Sequence, residues 1–301
     1  MKKLFGATGK TPLRLLGWAL AATLSMGTQI AKADEVGLRA KFSELREQLR
    51  TNSYQRPLHI VSSEAGGTLH GDVYAVLNYP FDSVGKALKE PSDWCDILIL
   101  PFNTKYCHPV PGARGTNLLV RIGRKVDQPV RDAFRIQFGL QPISATADYF
   151  ESRLSATEGP VGTRDYRIVV SAVPIEGGRT FMHLSYSYAY GLAGKIAMQA
   201  YLSTAGADKI GFTLTAGDAS GKPVHIGGMR GAIERNAMRY YLAVDAHLAA
   251  MGLPADQQLE KRITTWFDAT ERYPRQLHEM DRAAYLAMKR GEFERQQAMI
   301  E

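Results

Sequence analysis

Apolar and polar residues alternate through most of 57–190, the signature of strands with one buried face. In 68–77, Leu69, Val73, Ala75 and Leu77 fall on one side and His70, Asp72 and Tyr74 on the other. In 133–141, Phe134, Ile136, Phe138 and Leu140 alternate with Arg135, Gln137, Gly139 and Gln141. Segments 116–124, 147–156, 164–174 and 180–190 continue the series, divided by turn signals at Pro142, Glu158-Gly159-Pro160 and Glu176-Gly177-Gly178. The short connections favour an antiparallel meander with one solvated face. Between the second and third strands, Pro80-Phe81-Asp82-Ser83-Val84 runs on to Leu88 and Pro91. Proline suits the first turn of a helix and ends a preceding one, so a short helix is expected here, packed across the sheet edge.

Helical periods flank this strand region. Residues 36–50 carry Leu38, Phe42, Leu45 and Leu49 on one stripe, an amphipathic helix laid on the domain or on a partner. After Tyr190 the pattern predicts a helix over 191–205, a strand over 208–216 with Ile210, Phe212 and Leu214 alternating, and a turn at Asp218–Pro223. A long helix follows over 229–251, with Met229, Ile233, Ala237, Tyr240, Val244, Leu248 and Met251 on one face. Arg235 and Arg239 fall opposite that face and are expected in solvent. Two more helices, 255–271 and 275–297, are separated by Pro274; the first has an apolar line of Leu259, Ile263, Trp266 and Phe267, and the charged second is expected on the surface.

The first residues change the picture of charge and location. Lys2, Lys3, Lys10 and Arg14 precede the apolar run Leu15–Gly27 and the small-x-small site Ala31-Lys32-Ala33, the plan of a secretory signal cleaved after Ala33. The run is shorter than the roughly 20 residues of a spanning helix. An uncleaved anchor and a cytoplasmic amphipathic helix are the alternatives. Five of the 37 basic residues and none of the 30 acidic ones lie in 1–33, so the mature chain carries +2. Without a basic stripe nothing points to nucleic acid. Export, most simply to a periplasm, also sets the chemistry of Cys95 and Cys107, the two cysteines. Their short separation in an oxidising compartment points to a disulfide rather than a redox thiol or metal ligand, since there is no Cys-x-x-Cys and the seven histidines are scattered. No cofactor or metal motif is recognisable.

The order of strand, strand, short helix, antiparallel meander and long amphipathic helix resembles the helix-grip fold of the START-like superfamily, also called SRPBCC. The resemblance is strongest at Val73–Trp94 and spans about Leu58 to Met251. It implies an α+β fold in which a curved antiparallel sheet wraps the long helix of the C-terminal half, with extra flanking helices and an apolar cavity between sheet and helix. The interrupting segments 191–205 and 208–216 and the two trailing helices depart from the family order; a lipocalin-like barrel or another α+β fold is the alternative. The partition is a signal peptide (1–33), an N-terminal helix (34–56), the START-like domain (57–252) and a C-terminal helical extension (253–301).

The candidate chemistry follows from these faces. On 180–190, Met182, Leu184, Tyr186, Tyr188 and Tyr190 share a side, and tyrosines combine an apolar body with a polar tip suited to an amphipathic ligand. His183 with Ser185 and Ser187 on the other side is spaced too far along the strand for direct Ser–His contact. On the long helix, Arg230 and Glu234 are spaced for an i,i+4 pair. Either this is a rim salt bridge and His247 a satisfied core histidine, or Arg230 anchors a ligand carboxylate or phosphate at the cavity mouth. The candidate lining is Tyr186, Tyr188, Arg230, Ile233, Ala237, Tyr240, Val244 and His247. Gly227-Gly228 and Gly191–Gly194 lack phosphate-loop spacing. The leading expectation is an exported protein that holds a lipid or other hydrophobic small molecule. An envelope accessory protein that meets a partner protein through its outer helices, and an enzyme for a hydrophobic substrate on the same scaffold, are the alternatives.

Overall fold

The computed structural model describes residues 32–112, 115–141, 143–204, 206–217 and 222–299. The expected signal segment lies outside them except for its last two residues, as do Pro142 and most of the expected turn at Asp218–Pro223. Residues 32–44 are helical (α1) and α2 (Arg46–Arg50) extends them. The strands are β1 (Leu58–Ala65), β2 (Thr68–Leu77), β3 (Thr104–Gly112), β4 (Gly115–Ile122), β5 (Phe134–Leu140), β6 (Ser144–Ala145), β7 (Phe150–Glu158), β8 (Thr163–Ile175) and β9 (Arg179–Tyr190). Among the described residues these form one antiparallel sheet in the order β1-β2-β9-β8-β7-β5-β4-β3, with β6 paired to β7. The further helices are α3 (Phe81–Ala87), α4 (Pro91–Leu98), α5 (Leu192–Leu202), α6 (Gly228–Leu248), α7 (Ala255–Thr270), α8 (Pro274–Leu277) and α9 (Arg282–Gln297). α6 packs on the inner face of this open sheet over β1, β2 and β9, and the arrangement is a helix grip with flanking helices.

The inner face of the sheet is covered, and so is part of the outer face. Leu69, Val73, Ala75 and Leu77 of β2 point inward, as the alternation predicts, and so do Met182 and Leu184 of β9. On the outer face, Leu38, Phe42, Leu45 and Leu49 of the N-terminal helices pack on Val76, Tyr149, Val173 and Phe181. The Phe42 and Phe181 rings lie 5.0 Å apart. The apolar stripe of 36–50 is thus used within this chain.

Several expectations are corrected. Pro91 does not end the short helix region; it opens α4, at a first-turn position where its missing N–H costs nothing. These small helices cross the inner face rather than the edge: Trp94 Nε1 donates to Leu88 O at 3.0 Å and to Ser152 Oγ of β7 at 3.1 Å. β3 carries Pro109 and Pro111, which obscured its alternation, and it is an edge strand, where proline removes no ladder bond from a second neighbour. The strand expected over 208–216 shrinks to β10 (Leu214–Thr215), paired with β11 (Val224–His225). The charged C-terminal helix lies on the surface, but it buries one face that includes charged residues. Lys289 and Glu292 of α9 are buried with Lys105 beside β3, and Glu292 accepts from Lys105 Nζ at 2.9 Å and Lys289 Nζ at 2.7 Å. The lysines also donate to the carbonyls of Phe102, Pro101 and Thr104, which offsets the desolvation of the charges. Cys95 of α4 and Cys107 of β3 form a disulfide, tying the small helices to this edge.

Candidate functional site

The seating of α6 decides where space remains. Gly71 of β2 stands opposite Ser62 of β1, and α6 rests on this pair. A Cβ at Gly71 would lie 3.1 Å from Ile233 O and 3.2 Å from Ala237 Cβ, so glycine permits helix and strand to meet closely. Beside it, Ser62 Oγ donates to Glu234 Oε1 at 2.6 Å, and Arg230 donates to Ser62 O at 2.7 Å and to Ser62 Oγ at 3.2 Å. The Glu234 carboxylate also accepts from Phe212 N, Thr213 N and Thr213 Oγ1. Over β1 and β2 the helix is therefore flush, held by apolar contact and a buried carboxylate with four donors.

Toward β4 and β5 the sheet diverges from α6 and leaves a cavity of about 300 Å³. Its floor is Val120 and Ile122 of β4, Ile136 and Phe138 of β5, Tyr166 of β8, and Tyr186 and Tyr188 of β9. Leu98, Asn103 and Thr104 close one end; Asn236 and Tyr240 of α6 form the roof. The mouth is framed by the turn Pro160–Gly162 and by Gly194, Ala197, Met198 and Tyr201 of α5. A Cβ at Gly194 would lie 3.3 Å from Val161 O, so this glycine lets α5 sit close on that turn. Leu192, Ile196 and Val161 at the rim are exposed.

Four of the five lining tyrosines, Tyr166, Tyr186, Tyr188 and Tyr240, form one aromatic wall. Tyr166 stacks on Tyr188 at 5.2 Å, and Tyr186 lies 5.0 Å from Tyr240 and 5.8 Å from Tyr188. Tyr166 donates to Thr163 Oγ1 at 2.7 Å. Burial raises the hydroxyl pKa of each of these tyrosines, so all four stay protonated in the neutral range. Tyrosines are the titratable groups among the lining residues. The walls can therefore surround an apolar molecule and hydrogen-bond to it, and among the described residues they hold no carboxylate or imidazole positioned for proton transfer.

The candidate residues thus separate by position on α6 and β9. Tyr186, Tyr188 and Tyr240 are in the cavity wall, whereas Ile233 and Ala237 are pressed against Gly71. Val244 is fully buried in the core. Arg230 is engaged by Ser62 on the flush side, joined to Glu234 through the serine rather than facing a cavity mouth. His247 is 2% exposed and unsatisfied: neither ring nitrogen is hydrogen-bonded, and Nε2 lies 3.7 Å from Asp93 Oδ1 of α4. Burial, then the charge of Arg262, pushes its pKa down to about 4. Arg235 and Arg239, expected in solvent, are buried at 2% and 5% exposure, because α7 and the residues around Glu279 cover that side of α6. On β9, His183 pairs with Asp72 of β2 at 2.8 Å on the outer face and stacks on Tyr74, and Ser185 meets the same carboxylate rather than the imidazole. The wall residues Val120, Ile136, Phe138 and Tyr166 are on strands that alternation identifies. Alternation reports an inward side chain, not whether a helix or a void faces it.

Neither a protein-family model nor a curated protein matches this chain. Among solved structures, Ara h 8.0201 overlaps at 13% identity over 46% of this chain and 92% of its own, with a TM-score of 0.32. A conserved protein from Geobacillus kaustophilus overlaps at 12% identity over 60% of this chain and 95% of its own, with a TM-score of 0.35. Norcoclaurine synthase from Thalictrum flavum overlaps at 14% identity over 61% of this chain and 98% of its own, with a TM-score of 0.32. These are distant overlaps, and the helix-grip arrangement stands on the strand order and the seating of α6 described above.

Proposed function

We propose that this chain is an exported START-like protein that binds a hydrophobic small molecule between sheet and α6. The observation that carries this reading is the 300 Å³ cavity walled by aliphatic side chains and four tyrosines. Its size is at the lower end of small-molecule sites, and its lining of apolar surface with a few hydroxyls is their usual chemistry. Binding is favoured over catalysis because the titratable groups that line the cavity are tyrosines, and burial holds Tyr166, Tyr186, Tyr188 and Tyr240 protonated. Work outside the cytoplasm is supported by the basic–apolar–small order of residues 1–33 and by the Cys95–Cys107 disulfide. The partner-protein alternative is weakened by the inward faces of α1, α7 and α9, which are used on this chain's own core.

The test is native mass spectrometry of the chain purified without detergent, with solvent extraction of whatever it carries. Ala197→Trp, which places an indole at the mouth, should yield a folded protein without the extra mass. An extract devoid of small molecules, together with no uptake of added apolar probes, sinks the reading.

A further inference from the structure

Behind two of the cavity's polar lining residues stands a cluster of cations that the binding reading does not yet use. Glu279, between α8 and α9, accepts from Lys125 Nζ at 2.6 Å and from Arg239 Nη2 at 2.6 Å, and Lys209 Nζ lies 3.8 Å away. Arg235, one turn before Arg239 on α6, donates to Ile210 O at 3.2 Å and pairs with the Tyr201 side chain. Among the described residues, Glu279 is the carboxylate in direct contact with Lys125, Lys209 and Arg239, and its charge also reaches Arg235. Glu234, whose charge also reaches Arg235, is occupied by its own four donors. At least two positive charges are in excess, and Arg239 Nε is buried without a hydrogen-bond partner. Burial and the neighbouring arginine push Lys125 down to about 8, as expected of a cation crowded by others.

The cluster abuts the cavity. Lys125 follows Ile122, a floor residue, and its ammonium lies 5.7 Å from the ring centre of Tyr201, which frames the mouth. Arg239 Nη1 donates to Asn236 Oδ1 at 3.4 Å, and Asn236 is in the roof. Lys125 and Lys209 keep 32% and 21% of their side chains exposed, so this end is open to an incoming ion.

We infer that the ligand is an amphiphile with an anionic head, a carboxylate or phosphate, held at the Tyr201–Asn236 end by Lys125 and Arg235 while its apolar tail lies among Tyr186, Ile136 and Phe138. This deepens the binding reading and rests on it. A head group here would be met by charge-assisted hydrogen bonds, about twice as strong as neutral ones. The anchoring role that the sequence suggested for Arg230 passes to cations on the opposite side of α6.

Calorimetric titration of the full mature chain with decanoic acid, 1-decanol and acetate separates the outcomes. Decanoate should bind at least about ten-fold tighter than decanol, the ratio that 1.4 kcal/mol represents. Acetate should bind far more weakly than decanoate. In Lys125→Gln and in Lys209→Gln, both at partly exposed positions, the acid-to-alcohol ratio should fall toward one. Equal binding of acid and alcohol overturns the inference and leaves the cavity reading standing. A ratio unchanged in both variants puts the head elsewhere and overturns it as well. Acetate as tight as decanoate makes the cluster a free-anion site, against the inference. Binding of neither chain compound ends both readings.

Discussion

Replacing Gly71 by alanine tests the seating of α6 on the sheet, on which the position of the cavity depends. The added Cβ would sit 3.1 Å from both Ile233 Cγ1 and Ile233 O and 3.2 Å from Ala237 Cβ. The Ile233 side chain can turn away. The carbonyl and the Ala237 methyl belong to the helix frame and move only if α6 shifts as a body, against the Ser62–Glu234 contact. Overpacking of this kind costs about 1–3 kcal/mol. Alanine regains about 0.5–1 kcal/mol relative to glycine within a strand. The net expectation is a loss of about 1–2 kcal/mol for Gly71→Ala and more for Gly71→Val, whose branches have nowhere to go. In urea, with a slope of about 3 kcal/mol/M for a domain of this size, the alanine midpoint should fall by roughly 0.5 M. Gly37→Ala is the control: its Cβ meets nothing within 4 Å on an exposed helical position, so stability should rise by about 1 kcal/mol. A Gly71→Ala midpoint equal to or above the parent's would refute the flush contact.

Further predictions concern buried polar groups and the disulfide. Glu234→Gln turns an amide toward four donors and should cost about 3 kcal/mol, read as a lower urea midpoint; an unchanged midpoint would show that the carboxylate is not held as described. His247 and Asp93 should give opposite pH dependences. His247, lowered to about 4 from an ordinary 6.5, destabilises the fold as pH falls from 6.5 to 4, because the unfolded chain takes up a proton that the folded one refuses. Asp93, raised to about 6 from 3.8 chiefly by burial, does the reverse, its contribution being present at low pH and lost as pH rises through 6. Each is worth about 3 kcal/mol and they nearly cancel, so His247→Leu should gain stability between pH 6.5 and 4.5 and Asp93→Asn should lose it; urea midpoints that track the parent at both pH values would contradict this. Reduction of Cys95–Cys107, or Cys95→Ser with Cys107→Ser, should cost about 3 kcal/mol for a separation of 12 residues, measured as a lower thermal midpoint.

Local pattern alone determined much of this protein. Alternation marks β2, β5, β8 and β9 and assigns the inward faces of β2, β9 and, apart from the exposed Phe134, β5, because a strand's side-chain period is 2 whatever lies opposite. The 3.6-residue period marks α6 and α7, and a helical stripe at 36–50 announces a helix laid on apolar surface. The nearness of Cys95 and Cys107 in sequence points to their pairing, which the disulfide bears out. Tertiary structure decided which side of α6 is flush and which faces a void. Ile233, Ala237 and Tyr240 share one stripe, yet the first two meet Gly71 and the third roofs the cavity, a distinction set by where the sheet curls away. It also decided the burial of Arg235, Arg239, Lys289 and Glu292. A periodic stripe reports one apolar interface, whereas α6 is enclosed on several sides and α9 buries charges on its inner face, and a buried charge is tolerated only through partners such as Glu279 and Lys105 that stand far away in the chain.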